Sequence, residues 1–445
     1  MIENDAFKLL LINLFHLNPD DIANILCTTF NKMMVLVVTL TDKHQACPYC
    51  GFTAPKIKEY VTKEITHSAL TTQKCIIKYR ARRYKCSCCG KTYYEFNPFV
   101  FKSQKISILT VHNILKDLKD FNETFTSVAR RYHVSPTSVS TIFDKHVDIG
   151  RNPLPEIINF DEVYAFKSEK SKYVCVLLDF KKQIPVDVLP NRKKEYLLNY
   201  FQKIPLEERK KVKYACSDMY EVYRDVVHKV FPSCCMLLDY FHLSQDFHRK
   251  MNEVRIKVMK GYKDNKASDE YYLLKKFNWL LFKNPEDEDK YGRLFDVERE
   301  RKYNSHFKSY MNYYDLRKKL LEINNDLTIC YSLKLELVDF YSKSTIDNAK
   351  VNLENLIRSC IDTNIDEMIA FSNNLINWKQ EIINSFTIVG TEYKVEADKG
   401  QVVVCNKKVN NAIIENRNKI IKCIKNNANG YTNWSRFRNR VMYVL

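Results

Sequence analysis

Short apolar runs bounded by polar turns dominate the middle of the chain, between residues 157 and 238. Three such runs predict strands at Ile157–Phe160, Tyr173–Leu178 and Ile184–Leu189. The pattern then alternates, and we predict a helix, a strand, a helix and a strand at Lys194–Lys203, Val212–Cys216, Tyr220–Val230 and Cys235–Leu238. Three consecutive strands followed by alternating helix and strand indicate an α/β domain.

The order of these elements is the one expected of a ribonuclease H-like sheet. The flanking segments differ in pattern: residues 1–40 predict a helix and then an apolar, β-prone piece at Met33–Leu40. We therefore predict a multidomain α/β protein with these segments: an N-terminal helical segment (1–40), a zinc ribbon (41–100), a helix-turn-helix domain (101–150), the first part of the core (151–242), an all-helical insertion (243–400), and a C-terminal helix with a basic tail (401–445).

The charge balance indicates a polyanionic partner. The 445 residues carry a formal charge of +18, with a pI near 9.1, and 45% of them are hydrophobic, which supports real cores. Nucleic acid fits this charge better than an anionic membrane surface, and no apolar run reaches the ~20 residues of a membrane span. The stretch Leu9–Leu17 lacks the features of a signal peptide, so we expect a cytoplasmic protein with mostly reduced cysteines.

Two C-x-x-C-Gly knuckles indicate a structural metal site. Cys47 and Cys50 precede Gly51, and Cys86 and Cys89 precede Gly90. Four thiolates form a closed tetrahedral site for one Zn²⁺, and glycine eases the tight turn of each knuckle. The spare thiol of Cys88 competes for the fourth position, and two unrelated cysteine pairs remain the plain alternative.

Residues 125–143 have the sequence pattern of a helix-turn-helix. A small residue, Ala129, lies in the first helix, a turn falls near His133–Ser135, and Ser135 would cap the second helix. Such patterns also arise by chance. The positions predicted to contact DNA here and beside the knuckles are Arg83, Arg130, Arg131, Thr137, Ser138 and Thr141.

Acidic residues near strand ends are the candidates for catalysis. Asp161 and Asp218 follow the predicted strands at 157–160 and 212–216, and Glu415 is the one acid after residue 405. Three such carboxylates can hold two divalent ions, which suits phosphodiester chemistry. The plain alternatives are turn capping and an ion pair with Lys419, four residues along. Rival acids within the block are Glu162, Asp179, Asp187 and Asp239.

Taken together, these segments resemble the ISL-three family of insertion-sequence transposases. The resemblance covers nearly the whole chain, from the knuckles through Phe160-Asp161-Glu162, Leu189-Pro190-Asn191-Arg192 and Ser217-Asp218-Met219. It ends with Asn411–Asn418 and Gly430–Arg438, which are the most specific segments. One departure is Asn410-Asn411-Ala412, where a Ser-Asn-Gly-like turn is expected before the glutamate.

The resemblance implies a D-D-E transposase in which Asp161, Asp218 and Glu415 bind Mg²⁺ or Mn²⁺. Asp239 and His242 match a D-x-x-H element that supports such a centre. The implied partners are double-stranded DNA, as terminal inverted repeats and as target, and further copies of the chain, as a homodimer or larger assembly. The resemblance also implies a bacterial cytoplasmic protein that associates with the nucleoid.

The basic C-terminal region would contact DNA, with Tyr431, Trp434 and Phe437 stacking on unpaired bases. The basic residues predicted for this role are Arg417, Lys419, Lys422, Arg436 and Arg438. Two other functions remain open: a DNA-binding regulator derived from a transposase that no longer cuts, and a repair nuclease for branched DNA.

Overall fold

The computed structural model describes residues 2–43, 45–102, 104–166, 171–395 and 402–445. The chain divides into two compact units. We call them the terminal unit (residues up to 150, 164–166 and 419–445) and the central unit (151–163, 171–395 and 402–418). Among the described residues, no helix combines the length and the apolar character that crossing a membrane requires.

A mixed sheet forms the first part of the terminal unit. Its elements are α1 (Ile2–Leu14), a 3₁₀ turn (Pro19–Asp21), β1 (Ile22–Phe30), β2 (Met33–Leu40), β3 (Lys56–Thr66), β4 (Cys75–Lys85) and β5 (Thr92–Tyr94). The strand order is β1-β2-β4-β3, with β5 on β4, and β2 runs parallel to β4. Asn31 and Lys32 adopt positive φ in the two-residue turn between β1 and β2, as tight hairpins require.

The prediction of a helical segment over residues 1–40 is therefore wrong after α1. The β-prone piece at Met33–Leu40 is confirmed as β2, but β1 was missed. Most of β1 is exposed, and its side chains follow no simple alternation, so its sequence carries little strand signal. Both strands belong to the same sheet as β3 and β4, so no boundary separates residues 40 and 41.

Three helices follow in the terminal unit: α2 (Ile108–Asp117), α3 (Phe125–Arg131) and α4 (Pro136–His146). The turn between α3 and α4 has His133 at positive φ, and Ser135 caps α4 by accepting the Ser138 N–H at 3.0 Å. The predicted cap is therefore confirmed. Val128, Val139 and Phe143 pack together in the core of these helices.

The central unit contains the predicted α/β sheet. Its first elements are β6 (Ile157–Tyr164), β7 (Tyr173–Asp179), β8 (Pro185–Leu189), α5 (Lys194–Gln202), α6 (Leu206–Arg209), β9 (Tyr214–Ser217), α7 (Glu221–Val230) and β10 (Cys235–Leu238). The seven predicted elements are confirmed, and the single turn α6 was missed. The strand order is β10-β9-β6-β7-β8, with β6, β9 and β10 parallel and β8 antiparallel to β7.

Alternating side chains of β6 face two different cores. Ile158 and Phe160 pack with residues of α5 and α7 on one face, whereas Ile157 packs on the other with Val409. Because the strand period is two, Asp161 shares the face of Ile157, opposite the α5–α7 layer. This placement brings its carboxylate to the side where the last part of the unit packs.

The segment after β10 is mostly helical around a large apolar core. Its elements are α8 (Tyr240–Lys260), α9 (Asp269–Lys276), a 3₁₀ turn (Asn278–Phe282), β11 (Glu288–Asp289), β12 (Gly292–Arg293), β13 (Lys302–Asn304), β14 (Ser309–Met311), α10 (Tyr313–Glu322), α11 (Asn325–Lys343), α12 (Ala349–Asp362), α13 (Asp366–Asn377) and α14 (Lys379–Asn384).

The prediction of an all-helical insertion over 243–400 is wrong at two places. Between residues 288 and 311, two short antiparallel hairpins interrupt the helices, with Gly292 and Lys308 at positive φ in or beside their turns. The strand β15 (Ile388–Val395) then begins before the predicted end and pairs with β16 (Val402–Lys408). Residues 396–400 lie outside the described residues.

The last two elements are the helices α15 (Ala412–Asn427) and α16 (Trp434–Val444). Residues 412–418 of α15 belong to the central unit, and its remainder belongs to the terminal unit with α16. Asn429 and Gly430 adopt positive φ after α15, and the Gly430 N–H bonds the Lys425 carbonyl at 2.8 Å, which ends the helix.

Candidate metal centre at the edge of the central sheet

Asp161 lies inside β6, whereas the apolar run Ile157–Phe160 predicts that it follows the strand. The strand continues to Tyr164, and Asp161 is 8% exposed. Its Oδ1 accepts the Glu162 N–H at 2.7 Å, and its Oδ2 accepts Nδ2 of Asn418 at 2.8 Å. These two bonds fix the orientation of the carboxylate.

Asp218 and Asp239 follow the two parallel strands beyond β6. Asp218 comes directly after β9, as predicted, and Asp239 comes directly after β10 and precedes α8. The Asp239 N–H bonds the Ser217 carbonyl at 3.1 Å, which ties the two strand ends together. Because parallel strands end at the same edge of a sheet, both carboxylates lie at one edge.

His242 lies in the first turn of α8, and Glu415 lies in the first turn of α15. Nε2 of His242 is 3.9 Å from Oδ2 of Asp239 and 3.9 Å from Oε1 of Glu415. The ligand atoms of these three residues all lie within 4.8 Å of one another. The D-x-x-H element and the late glutamate therefore meet in one cluster, although 173 residues separate His242 from Glu415 along the chain.

Three asparagines hold this arrangement together. The Asn411 N–H approaches Oδ1 of Asp239 at 3.3 Å, and the Asn411 side chain accepts Nδ2 of Asn159 at 2.7 Å. Asn159 also donates to the Asn410 carbonyl at 2.8 Å. These contacts fasten the start of α15 to β6 and to the end of β10. Asn410 and Asn411 lie in the asparagine-rich segment before Glu415 that the family resemblance singles out, whereas the sequence around Asn159 gives no sign of this role.

The pKa values of three carboxyl groups in this region are raised above their ordinary values. Burial raises the pKa of Asp161 to about 7, and the carboxylate of Asp218 contributes in the same direction. Burial likewise raises the pKa of Asp218 and of Asp239, although His242 opposes the shift in both. Crowded, buried carboxylates of this kind are typical of sites that a cation completes.

Unpartnered polar atoms support this interpretation. Among the described residues, Oδ1 of Asp218, Oδ2 of Asp239 and Nε2 of His242 are buried without a hydrogen-bond partner. Leaving such atoms unsatisfied costs roughly 1–3 kcal/mol each unless another ligand meets them. Carboxylate oxygens with one imidazole nitrogen suit a divalent cation such as Mg²⁺ or Mn²⁺. The residues present therefore fit a metal centre.

Of the rival acids, Asp239 belongs to the cluster, whereas Asp179 and Asp187 have other partners. Asp179 caps a turn, because its Oδ1 accepts the N–H groups of Lys181 and Lys182. Asp187 accepts the Tyr200 hydroxyl at 2.7 Å. Their carboxylates are thus occupied by structural hydrogen bonds.

Glu162 is bound by Arg192, a residue to which we had given no role. Their side chains form an ion pair, and the Arg192 guanidinium lies over the rings of Tyr173 and Tyr220, with its carbon 4.7 and 4.6 Å from the two centroids. Burial raises the pKa of Asp218, and the charge of Arg192, like His242, opposes that rise. The family resemblance included the segment Leu189-Pro190-Asn191-Arg192, and this was the feature of the sequence that could have pointed to Arg192.

A second candidate site lies in the terminal unit. The sulfur atoms of Cys47, Cys50, Cys86 and Cys89 all lie within 4.8 Å of one another. The sulfurs of Cys47 and Cys89 are 3.7 Å apart, and those of Cys50 and Cys86 are 3.5 Å apart. In a regular tetrahedron with metal–sulfur distances of about 2.3 Å, the sulfurs lie about 3.8 Å apart. The geometry therefore fits one tetrahedral ion.

The two knuckles have the same backbone design. Gly51 and Gly90 adopt positive φ, and their N–H groups bond the carbonyls of Cys47 and Cys86. Hydrogen bonds from backbone N–H groups, first that of Cys89, lower the pKa of Cys86 to about 7, which favours the thiolate. The exposed thiol of Cys88 is not part of the cluster.

The residues predicted to contact DNA fall into two groups. Five arginines make contacts within their own unit: Arg83 with Glu59, Arg131 with Asp117 and Glu123, Arg417 with the Gln183 carbonyl, Arg436 with Asp144, and Arg438 with the Ile149 carbonyl. Exposed positions are Arg130, Thr137, Thr141, Lys419 and Lys422, and Ser138 is half-buried beside Ser135. The contacts with DNA remain predictions.

The expected stacking of C-terminal aromatic residues on DNA bases is wrong for Phe437. This ring is fully buried, and it stacks on Phe166 with their centroids 5.7 Å apart. Trp434 packs edge-on against Phe166, and Tyr431 packs against Phe437. The alternation of aromatic and basic residues here arises because one face of α16 is buried. The same sequence pattern also fits a DNA-binding face, so sequence alone did not distinguish the two.

The comparisons with known proteins agree on one class. A family model described as a transposase, of the ISL-three type, matches residues 158–397, more than half of the chain. The transposase for insertion sequence element IS1001 of Bordetella parapertussis is 19% identical over 393 residues, which are 88% of this chain and 86% of that protein. The family match includes Asp161, Asp218, Asp239 and His242 and ends before Glu415.

Proposed function

The chain belongs to the ISL-three family of transposases, and on this premise we propose a D-D-E transposase whose centre is Asp161, Asp218 and Glu415. It cuts DNA at the ends of an insertion sequence and joins those ends to target DNA. The single observation that carries the proposal is the cluster of Asp239, His242 and Glu415, whose ligand atoms lie within 4.8 Å of one another. The buried carboxylates of Asp161 and Asp218 lie near enough for His242 to lower the pKa of both against the effect of burial.

A ribonuclease H-like core is supported by the strand order. The order β10-β9-β6-β7-β8 has the first strand, β6, in the middle, with β7 and β8 on one side and β9 and β10 on the other. Asp161 on β6 and Asp218 after β9 then lie on neighbouring parallel strands. Glu415 enters from a late helix, which agrees with a long insertion between the second aspartate and the glutamate.

Asp161, Asp218 and Glu415 would hold two divalent ions, with Asp239 and His242 beside them. When bound, such ions would supply activation of water or of a 3′-hydroxyl for in-line attack, and charge stabilisation for the leaving oxygen. Asn418 orients the Asp161 carboxylate through its 2.8 Å hydrogen bond. His242 lies between Asp239 and Glu415, with its Nε2 3.9 Å from an oxygen of each.

The terminal unit would recognise the DNA ends. We assign one structural Zn²⁺ to the four-thiolate site, which would brace the sheet β1-β2-β4-β3. The helices α3 and α4 would contact the terminal inverted repeats as a helix-turn-helix, with Thr137 and Thr141 exposed on α4. The overall charge of +18 supports a steep dependence of this binding on salt.

Two ends of one element must be cut together, so we propose a homodimer or larger assembly on DNA. Sedimentation of the complex with paired ends tests this, since a single protomer per pair of ends would contradict it. The alternative function is a regulator that binds the ends without cutting. The regulator was considered because Ala412 stands where the family resemblance leads us to expect glycine. Ala412 is, however, the first residue of the right-handed helix α15 and does not adopt positive φ, so glycine is not needed there.

The decisive experiment is a cutting assay on labelled DNA that carries the ends of the element. Purified protein is incubated with Mg²⁺ or Mn²⁺, and the wild type is compared with Glu415→Gln. We expect metal-dependent cutting at the element boundary, reduced at least a thousandfold in the variant, because the metal ligand is lost.

Glu336→Gln, an exposed position on α11, is the matched control and should cut like the wild type. Binding of the ends without cutting by the wild type would overturn the transposase mechanism and favour the regulator. Cutting that ignores the repeat sequence and follows DNA branching would favour the repair nuclease.

A further inference from the structure

An aromatic cleft lies in the helical insertion, away from the acidic cluster in sequence. The two hairpins, the C-terminal part of α9 and the start of α10 enclose about 650 Å³. This volume is within the range of about 300–1,000 Å³ for pockets that bind small molecules. The aromatic residues that line it are Tyr272, Phe277, Tyr291, Tyr303 and Tyr313.

Two of these rings are unusually exposed. Tyr291, in the turn between β11 and β12, is 67% exposed, and Tyr303 on β13 is 58% exposed. Tyr303 pairs edge-on with Tyr310 across the second hairpin, with their centroids 5.5 Å apart. The ring of Tyr303 is therefore held by a neighbour while much of its surface stays open. Large exposed aromatic rings at the mouth of a cleft indicate a binding surface.

Charges of both signs line the cleft: the bases are Lys276, Arg293, Arg299 and Lys302, and the acids are Asp289, Asp296 and Glu300. Nζ of Lys302 lies 5.9 Å from the centroid of Tyr291, and Nζ of Lys276 lies 5.2 Å from that of Tyr272. Both ammonium groups approach aromatic rings rather than carboxylates within the described part of the chain. The acidic side of the cleft is partly neutralised, because Asp289 forms a 2.6 Å ion pair with Arg299.

We propose that this cleft binds an unpaired nucleobase of the DNA substrate. The inference rests on the proposed action on DNA. Exposed tyrosine rings offer flat faces for base stacking, and the neighbouring lysines suit the adjacent phosphates. A dry protein–protein contact fits less well, because lysine is depleted from the centres of such interfaces. An unpaired base arises where a DNA end is frayed or distorted, or where the two strands are cut at different positions.

The test uses the full-length protein and oligonucleotides that carry 2-aminopurine. One oligonucleotide has the fluorescent base in an unpaired 3′ extension of the element end, and the other has it in a fully paired duplex. We expect quenching on binding for the unpaired base only. In the double variant Tyr291→Ala/Tyr303→Ala, quenching should disappear, and affinity for the extended DNA should fall roughly tenfold, as for the loss of base–aromatic stacking.

Two variants serve as controls. Tyr291→Phe/Tyr303→Phe keeps both rings and should retain quenching and affinity. Val351→Ala, at an exposed position on α12, should behave as the wild type. Circular dichroism of each variant checks that the fold is intact, and the phenylalanine variant keeps the proposal testable if the alanine variant unfolds.

Equal affinity losses on paired and unpaired DNA, or no loss on either, would overturn the proposal. Competition by free deoxyadenosine monophosphate at equal strength to the oligonucleotide would also overturn it, in favour of a free-nucleotide pocket. The metal-dependent cutting of the wild type is scored separately. Cutting without quenching rejects only this cleft, whereas quenching without cutting rejects only the proposed catalytic function.

Discussion

Replacing Asp161 with asparagine should stabilise the metal-free protein at alkaline pH. The pKa of Asp161 is raised from 3.8 to about 7, chiefly by burial. The folded state therefore binds more protons than the unfolded state between these values, and its stability falls as the pH rises through this window. Above pH 8 the cost of keeping the buried carboxylate charged is roughly 4 kcal/mol as an upper bound.

The gain from the substitution is smaller than this bound. Asp161 accepts one hydrogen bond on each oxygen, from the Glu162 N–H and from Asn418. An asparagine has one carbonyl oxygen, so one donor loses its acceptor, at a cost of roughly 1–2 kcal/mol. We expect Asp161→Asn to be more stable than the wild type by about 2 kcal/mol at pH 8.5, and the advantage to disappear near pH 4.5.

The assay is urea unfolding followed by tryptophan fluorescence, since Trp279 and Trp378 report on the central unit. Buffers are freed of Mg²⁺ and Mn²⁺ on a chelating resin. Asp179→Asn is the matched control, because its carboxylate already accepts two backbone N–H groups and should give no gain. Added Mn²⁺ should stabilise the wild type by about 2.7 kcal/mol at a hundred times its Kd, and the variant far less.

The reasoning is refuted if Asp161→Asn has no advantage at pH 8.5, or the same advantage at pH 8.5 and pH 4.5. The first result would mean that burial does not penalise the charged carboxylate. The second would mean that the effect has another origin than ionisation.

Three further outcomes follow from particular contacts. Cys50→Ser should lose the bound metal, measured by atomic emission, whereas Cys88→Ser should retain one equivalent, since Cys88 is outside the thiolate cluster. Asn418→Ala should weaken Mn²⁺ binding about 10- to 100-fold by freeing Asp161, measured by titration calorimetry, and unchanged affinity would remove its positioning role. Phe437→Ala should lower the free energy of unfolding by about 3–5 kcal/mol in urea titrations, because the ring is fully buried, and a loss below 1 kcal/mol would contradict its place in the core.

Local sequence patterns were sufficient for most of the α/β sheet. The runs at Ile157–Phe160 and Cys235–Leu238 are apolar at nearly every position, because buried parallel strands face two cores. Likewise, Ser135 before Pro136 predicted a helix start, since both residues act on the backbone next to them. Structure that depends on interactions between residues close in sequence can therefore be predicted from the local sequence.

The two short hairpins and the burial of the C-terminal aromatic residues could not be predicted from local patterns. The strands at 288–311 are two or three residues long, too short for a period to emerge. The aromatic rings of α16 alternate with basic residues whether they face DNA or a core. The burial of Phe437 depends on Phe166, a partner 271 positions away.

By itself, the sequence determined the strands and helices of the sheet, the two cysteine knuckles and the acids worth testing. Which acids lie close together depended on the tertiary structure. Asn418 reaches Asp161 across 257 residues, and Glu415 meets His242, whereas Asp179 and Asp187 turn to structural hydrogen bonds. The physical reason is that strand order and helix packing, rather than chain spacing, determine which distant side chains share one edge of a sheet.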